Sequence, residues 1–346
     1  MDRRMLALML LAVACAGGEP SSGGAATDTS AARAAGDSGK SEAAVAPSSA
    51  GGDVATTGGS ALPALAPNPQ GRIPVLEYHV IGGDKNTLYT RTVASYKADL
   101  EEAYKLGYRP VTIAQMLAKD WRELPPGTAP AVFVFYDASD SQFRYIERDG
   151  KLEIDPTSAV GIWLDFAKTH PGWKNRAVFC MLNGGAAGHN FFGDKPQFGG
   201  QKKEWRHPKV KWLADQGFEL CSHTLWHAKL NKYSDAVVQE QIARNVMGID
   251  SAVAGYKVRT FALPYGIWPK NRPLAWQGSW TDPKTKKTHS YKFDAVLEVA
   301  GGPARSPYDP QFNPKSINRI EAIGTDISRH LNKLAKDGTR FVPPGK

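Results

Sequence analysis

The chain is poor in cysteine, and one long stretch has no isoleucine and no aromatic residue. Its 346 residues include 3 cysteines, Cys15, Cys180 and Cys221, and no Cys-x-x-Cys pair, so no thiolate metal knuckle is expected. Residues 16–70 contain no Ile, Phe, Tyr or Trp and are dominated by Ala, Gly, Ser and Thr. Such a segment cannot bury enough apolar area to offset its ordering entropy, so residues 15–70 read as a disordered tether. No internal repeat is visible, and no apolar run after Cys15 is long enough to span a bilayer. Acidic residues are the minority, 34 against 43 Lys and Arg, which gives a net charge of +9. Lys202, Lys203, Arg206, Lys209 and Lys211 form one basic cluster, and Lys284, Lys286 and Lys287 another. Both read as solvated loop surface, on a protein whose overall charge suits anionic envelope polymers.

What is present begins with a targeting segment. Arg3 and Arg4 precede a short apolar run, Met5 to Ala14, so residues 1–14 read as a signal peptide. It ends in Leu11-Ala12-Val13-Ala14-Cys15, which resembles a bacterial lipobox, although Ala12 stands where Leu is commonest. Lipidation of Cys15 and a membrane partner are therefore expected, with the protein exported to the bacterial cell envelope. Nucleic acid is not an expected partner of an exported chain. Cys180 and Cys221 lie in apolar strand-like runs and read as buried free thiols.

The chain is 42% hydrophobic, enough for a sizeable core, and in residues 71–346 strand-like runs alternate with helical patterns. Val75–Tyr78 precedes a helix near 93–106, and 131–135 precedes one near 158–169. Residues 177–182 precede a helix near 209–216, and 218–221 precede one near 235–253, before 258–263 and 293–297. Repeated β-then-α units predict an α/β fold with a parallel sheet and helices outside. Two insertions, 139–157 and 183–208, leave strand ends, where such folds place their sites. Phe191, Phe192, Phe198 and Trp205 in the second either stack on sugar rings or fold the loop onto the body.

Three motifs carry candidate chemistry. His223 and His227, in Ser-His-Thr-Leu-Trp-His, are about one helical turn apart if helical, a spacing that lets two imidazoles share a metal ion. Phe133-Val134-Phe135-Tyr136-Asp137 reads as a buried strand ending in an acid, and Phe261-Ala262-Leu263-Pro264-Tyr265-Gly266 as a strand breaking into a turn. In this order they resemble Thr-Phe-Asp-Asp-Gly, His-Ser/Thr-x-x-His and Arg-x-Pro-Tyr-Gly of the polysaccharide deacetylase family, the NodB-homology carbohydrate esterases. Ile73-Pro74-Val75-Leu76-Glu77-Tyr78-His79, Gly107-Tyr108 with Val111-Thr112, and Asn318-Arg319-Ile320 resemble further family segments, so the likeness runs from about residue 72 onward.

The resemblance implies an irregular (β/α) barrel that removes acetyl groups from N-acetylglucosamine-containing or other acetylated polysaccharide. It implies a divalent metal, zinc by the ligand set, on Asp137, His223 and His227, and an oxyanion donor at the Tyr265 backbone N–H. Tyr265 also reads as a packing residue of a tight turn. The first motif departs from the family. Tyr136 stands at the general base, Ala138 at the Gly, and Ala262 at the Arg that orients the base. Tyrosine titrates near 10 and is a poor base at neutral pH. Asp140 is then a substitute base or a turn-capping residue, and His79 ends a strand that points at the site. No late histidine matches the family's catalytic acid; His289 and His330 stand in other contexts. The expected protein is a monomeric hydrolase of a polysaccharide substrate, with a catalytically impaired carbohydrate-binding protein as the alternative.

Overall fold

The computed structural model describes residues 64–184, 190–193 and 201–344; the signal segment, Cys15, the tether up to residue 63 and Phe198 lie outside them. Seven parallel strands follow one another in chain order around a ring. They are β1 Val75–Tyr78, β2 Ala129–Tyr136, β3 Val178–Met181, β4 Glu219–Ser222, β5 Thr260–Ala262, β6 Ala295–Gly301 and β7 Ile317–Glu321. β7 pairs back onto β1, Glu321 opposite Glu77, which closes the barrel. One more strand, Tyr108–Pro110, pairs with the first residues of β2. The fold is thus the irregular (β/α) barrel of the polysaccharide deacetylase type.

Alternation explains why β2 is apolar throughout. Val132, Val134 and Tyr136 point into the barrel, while Phe133 and Phe135 point out against helices, so both faces are dry. The outer layer is built by α1 Val93–Lys105, α3 Ala159–Thr169, α4 Arg206–Asp215, α5 Asp235–Ala252 and α6 Asp326–Lys336. Ile113 and Met116 of the short α2, Ile113–Ala118, join the inward-facing set instead. Side-chain caps from Thr92, Thr112, Ser158 and Ser234 fix four helix starts. No helix among the described residues is long and apolar enough to cross a membrane.

Several expectations need correction. Cys180 and Cys221 are not free thiols: they sit opposite one another in β3 and β4, Cα atoms 4.2 Å apart, and form a disulfide. Parallel neighbours in exact register, both facing the barrel interior, bring the sulfurs together. Lys209 is not solvated. It is buried, its Nζ donates to Gln201 Oε1 (2.6 Å) and the Phe192 carbonyl (3.3 Å), and burial lowers its pKa to about 7. Phe191 and Phe192 are also fully buried, so they fold their loop onto the barrel rather than stack on sugars. The first insertion contains a hairpin, Tyr145–Arg148 with Lys151–Ile154; a second, Gln277–Thr281 with Thr288–Lys292, lies between β5 and β6.

Residues 65–70, assigned above to the tether, are bonded to the body. Leu65 N–H donates to the Gly127 carbonyl, and Asn68 N–H to that of Val342. The Asn68 amide donates to the Gly338 and Arg340 carbonyls at 3.1 and 2.9 Å. A chain truncated to begin at Arg72 should therefore be less stable than one beginning at Ala64, by about 4 kcal/mol at roughly 1 kcal/mol for each of these four net hydrogen bonds. Equal thermal midpoints for the two would show that the segment contributes nothing.

Candidate functional site

Three strand ends converge at the C-terminal mouth of the barrel. β2 stops at Tyr136 because Asp137 (φ 71°) and Ala138 (φ 50°) leave the extended region. β4 stops before His223, and Thr224 (φ 68°) and His227 (φ 63°) bend the next segment. β5 runs into Pro264-Tyr265-Gly266, with Tyr265 at φ 56°. Of ten described non-glycine residues with positive φ, these five sit at one site. Such conformations are sparsely populated and concentrate where function requires them. Gly266 (φ 64°) is needed for space as well, since a Cβ there would lie 2.5 Å from Val299 Cγ1.

The two histidines do not share an α-helix, contrary to the spacing argument. Thr224 Oγ1 instead accepts from the N–H groups of His227 (3.0 Å) and Ala228 (3.3 Å), closing a turn that sets the imidazole centroids 4.8 Å apart. His223 is 2% exposed, and its Nδ1 bonds the Ala262 carbonyl at 2.9 Å. A carbonyl can only accept, so Nδ1 carries the proton and Nε2 is a lone-pair donor. That Nε2 lies 3.4 Å from Asp137 Oδ1, and His227 Nε2 lies 3.7 Å from the same oxygen. These separations are long for hydrogen bonds, and Oδ1 is buried without a hydrogen-bond partner. Ligands about 2.0–2.1 Å from a tetrahedral ion stand roughly 3.3–3.4 Å from one another, so the three atoms fit a shared cation. They are the one such group of three or more His, Cys, Asp or Glu among the described residues. Burial raises the Asp137 carboxyl, but the imidazoles of His223, His79 and His227 outweigh it and hold it below the usual carboxylate range.

The remaining candidates separate. His79 and Tyr136 line the same cavity, about 210 Å³, with ring centroids 5.6 Å apart. Tyr265 is at the rim, 47% exposed, its ring 4.2 Å from that of His227. Asp140 does not line the cavity. Gln142 donates to the carbonyls of Tyr136 (2.5 Å) and His79 (2.8 Å), pinning a Ser139–Gln142 turn that carries Asp140 away to face Arg144 at 3.8 Å. Neither His289 nor His330 lines the cavity.

Two inward-facing residues were missed as site residues. Glu77 of β1, 3% exposed, has Oε1 3.4 Å from His79 Nε2 and Oε2 3.5 Å from Arg319 Nε. Arg319 of β7, 2% exposed, lies over the Tyr136 ring at 4.1 Å. The signal was available: a charge at an inward position of an apolar barrel strand is rarely a packing choice. Burial drives the Tyr136 phenol well above its ordinary range. Burial also raises Glu77 from 4.5 to about 7; Arg319 opposes the shift, while Glu321 and Asp137 add to it.

A raised folded-state pKa means the folded protein keeps a proton that the unfolded chain releases. The resulting stability is complete below about pH 4 and is lost as pH rises through 7. In chelator-stripped protein, wild type should lose about 3 kcal/mol more than Glu77→Gln between pH 4 and 8, read by denaturant unfolding. Parallel pH profiles would show that Glu77 is not perturbed.

Comparison with known proteins agrees with this geometry. A family model described as polysaccharide deacetylase matches residues 174–276, which include both histidines and Pro264-Tyr265-Gly266 but not Asp137. No curated protein matches the chain. Among solved structures, the Streptococcus pyogenes deacetylase PplD in complex with acetate is similar at TM-score 0.50 and 14% identity, over 76% of this chain and 98% of that one. BC0361, a polysaccharide deacetylase from Bacillus cereus, is similar at TM-score 0.51 and 15% identity, over 77% of this chain and 69% of that one. At such identities the structural likeness speaks for the fold. Residues 174–276 carry the sequence pattern of the polysaccharide deacetylase family, set in the barrel that its solved members share.

Proposed function

We propose that this chain is an exported, metal-dependent deacetylase that removes acetyl groups from an N-acetylglucosamine-containing or other acetylated polysaccharide of the cell envelope. The observation that carries the reading is the unpartnered Asp137 Oδ1 facing two imidazole Nε2 atoms at the barrel mouth. Asp137, His223 and His227 would hold the divalent cation, and one carboxylate with two imidazoles suits zinc. When bound, such a cation polarises an acetyl carbonyl and lowers the pKa of water.

The chain's own residues supply the rest. The bond to the Ala262 carbonyl fixes the His223 tautomer. Tyr265 stands beside His227, where its backbone N–H is suited to the developing oxyanion, a contribution of roughly 10²–10³ in rate. Tyr89 and Tyr265, 56% and 47% exposed at the rim, offer faces for a sugar ring. Lipidation at Cys15 would tether this mouth to a membrane through the segment that precedes the barrel. The second reading, a carbohydrate binder, is favoured by Tyr136, whose buried phenol cannot act as base near neutral pH.

Purified protein should bind one zinc ion per chain and release acetate from N-acetylglucosamine oligomers. His223→Ala and His227→Ala should each lose the metal, measured by elemental analysis, and at least about a hundredfold in turnover. Unchanged metal content in both variants would refute the ligand assignment; full zinc with no acetate from any acetylated glycan would support the binder. Cys15→Ser should shift the protein from the membrane to the soluble fraction on sedimentation, and undiminished membrane association would refute the anchor.

A further inference from the structure

Proton transfer is the unassigned part of the reaction. The cavity is lined by three carboxylates, Glu77, Asp137 and Glu321. Asp137 faces the two imidazoles, and Glu321 is half-buried at the last position of β7. Glu77 differs from both. Its carboxylate is buried in the barrel interior, and Oε2 accepts no hydrogen bond. Glu77 sits opposite Val134, and Tyr136 is the next inward residue of β2, so carboxylate and phenol are diagonal neighbours on the inner face. Arg319 spans them, with its guanidinium over the Tyr136 ring and Nε towards Glu77, and its Nε and Nη1 are buried without acceptors.

An apolar pair would fill this space at lower desolvation cost, so a buried and incompletely bonded ion pair calls for a use. The resemblance noted above places a base and its Arg partner at the positions that here are Tyr136 on β2 and Ala262 on β5. This chain has a carboxylate and a guanidinium on β1 and β7, in the same barrel mouth.

We propose that Glu77 is the general base and acid of the reaction, and that Arg319 positions it. The inference rests on the deacetylase reading. Glu77 takes a proton from the attacking water as the water oxygen bonds to the acetyl carbon and the carbonyl π pair moves onto oxygen. Collapse of that oxygen's lone pair breaks the C–N bond. The proton held by Glu77 passes to the departing nitrogen, giving acetic acid and an amine with no net proton gained or lost by the side chain; the acid then ionises and the amine is protonated through solvent, leaving acetate and ammonium. The groups facing Glu77 are His79 just past the end of its own strand, Tyr136 at the end of β2 with Asp137 just beyond it, and Arg319 and Glu321 on β7.

The test uses the zinc-loaded full chain with N-acetylglucosamine tetramer, and acetate alone as a binding probe. Glu77→Gln should lower kcat by about 10²–10⁴ with zinc content and KM unchanged, and Glu77→Asp should recover part of the loss. Arg319→Met should move the acid limb of the kcat profile to higher pH, because a cation that favours the carboxylate is gone. Asp140→Asn should leave turnover and profile unchanged. Because a protonated Glu77 donates to it, acetate should bind wild type more tightly below pH 7 than at pH 8, whereas Glu77→Gln should bind it with flat pH dependence. A Glu77→Gln protein that keeps wild-type turnover, or the wild-type pH dependence of acetate binding, would overturn the proposal. So would loss of the acid limb in Asp140→Asn. Wild type that loads zinc but hydrolyses no acetylated glycan would instead remove the deacetylase reading, and the acetate titration would still decide whether Glu77 exchanges a proton there.

Discussion

The site turns on one oxygen, and the register of three adjacent barrel strands decides what it meets. Asp137 Oδ1 lies at the end of β2, and the Nε2 atoms of His223 and His227, 3.4 and 3.7 Å away, come from the segment after β4. β3 stands between these strands, so the three atoms meet only if the registers of β2 with β3 and β3 with β4 both hold. The Cys180–Cys221 disulfide joins β3 to β4 within that same span. Positive φ at Asp137, Thr224 and His227 then turns each chain end across the opening. Such backbone costs of order 1–3 kcal/mol per residue and persists because the surrounding β-sheet and core overdetermine it.

A second constraint is charge in a dry interior. Glu77 and Arg319 are 3% and 2% exposed, and both face inward, next to the inward-facing Val75 and Ile317 of their own strands. Desolvating each ion costs several kcal/mol, and a pair held at 3.5 Å with unfilled hydrogen bonds recovers only part of it. Burial accordingly raises Glu77, while the nearby imidazoles lower Asp137. One cavity thus holds two carboxylates with opposite proton affinities, the arrangement expected where one holds a cation and the other moves protons.

The β-then-α alternation was legible in the sequence because period and length are local properties, and helix bounds such as Asp235–Ala252 fell close to expectation. Asp137, His223, His227 and Tyr265 were legible as ordered motifs. The structure brings them together, through a Thr224-capped turn rather than the helix that the His-x-x-x-His spacing suggested. Asp140 failed because its direction is set by the Gln142 side chain reaching back to two strand ends, a tertiary contact that no local pattern encodes. Glu77 and Arg319 were quoted as strand residues and passed over, since their meaning depends on barrel closure pairing β7 with β1. Lys209 looked solvated for a similar reason: its cluster is basic in sequence, but only its neighbours face water.

The central claim is that Asp137, His223 and His227 form one metal-binding site. X-ray absorption at the zinc edge of the loaded protein tests it most directly. Two imidazole nitrogens and oxygen ligands at about 2.0–2.1 Å, with no sulfur, are the predicted first coordination shell. A sulfur shell near 2.3 Å, or a shell without imidazole scattering, would contradict it.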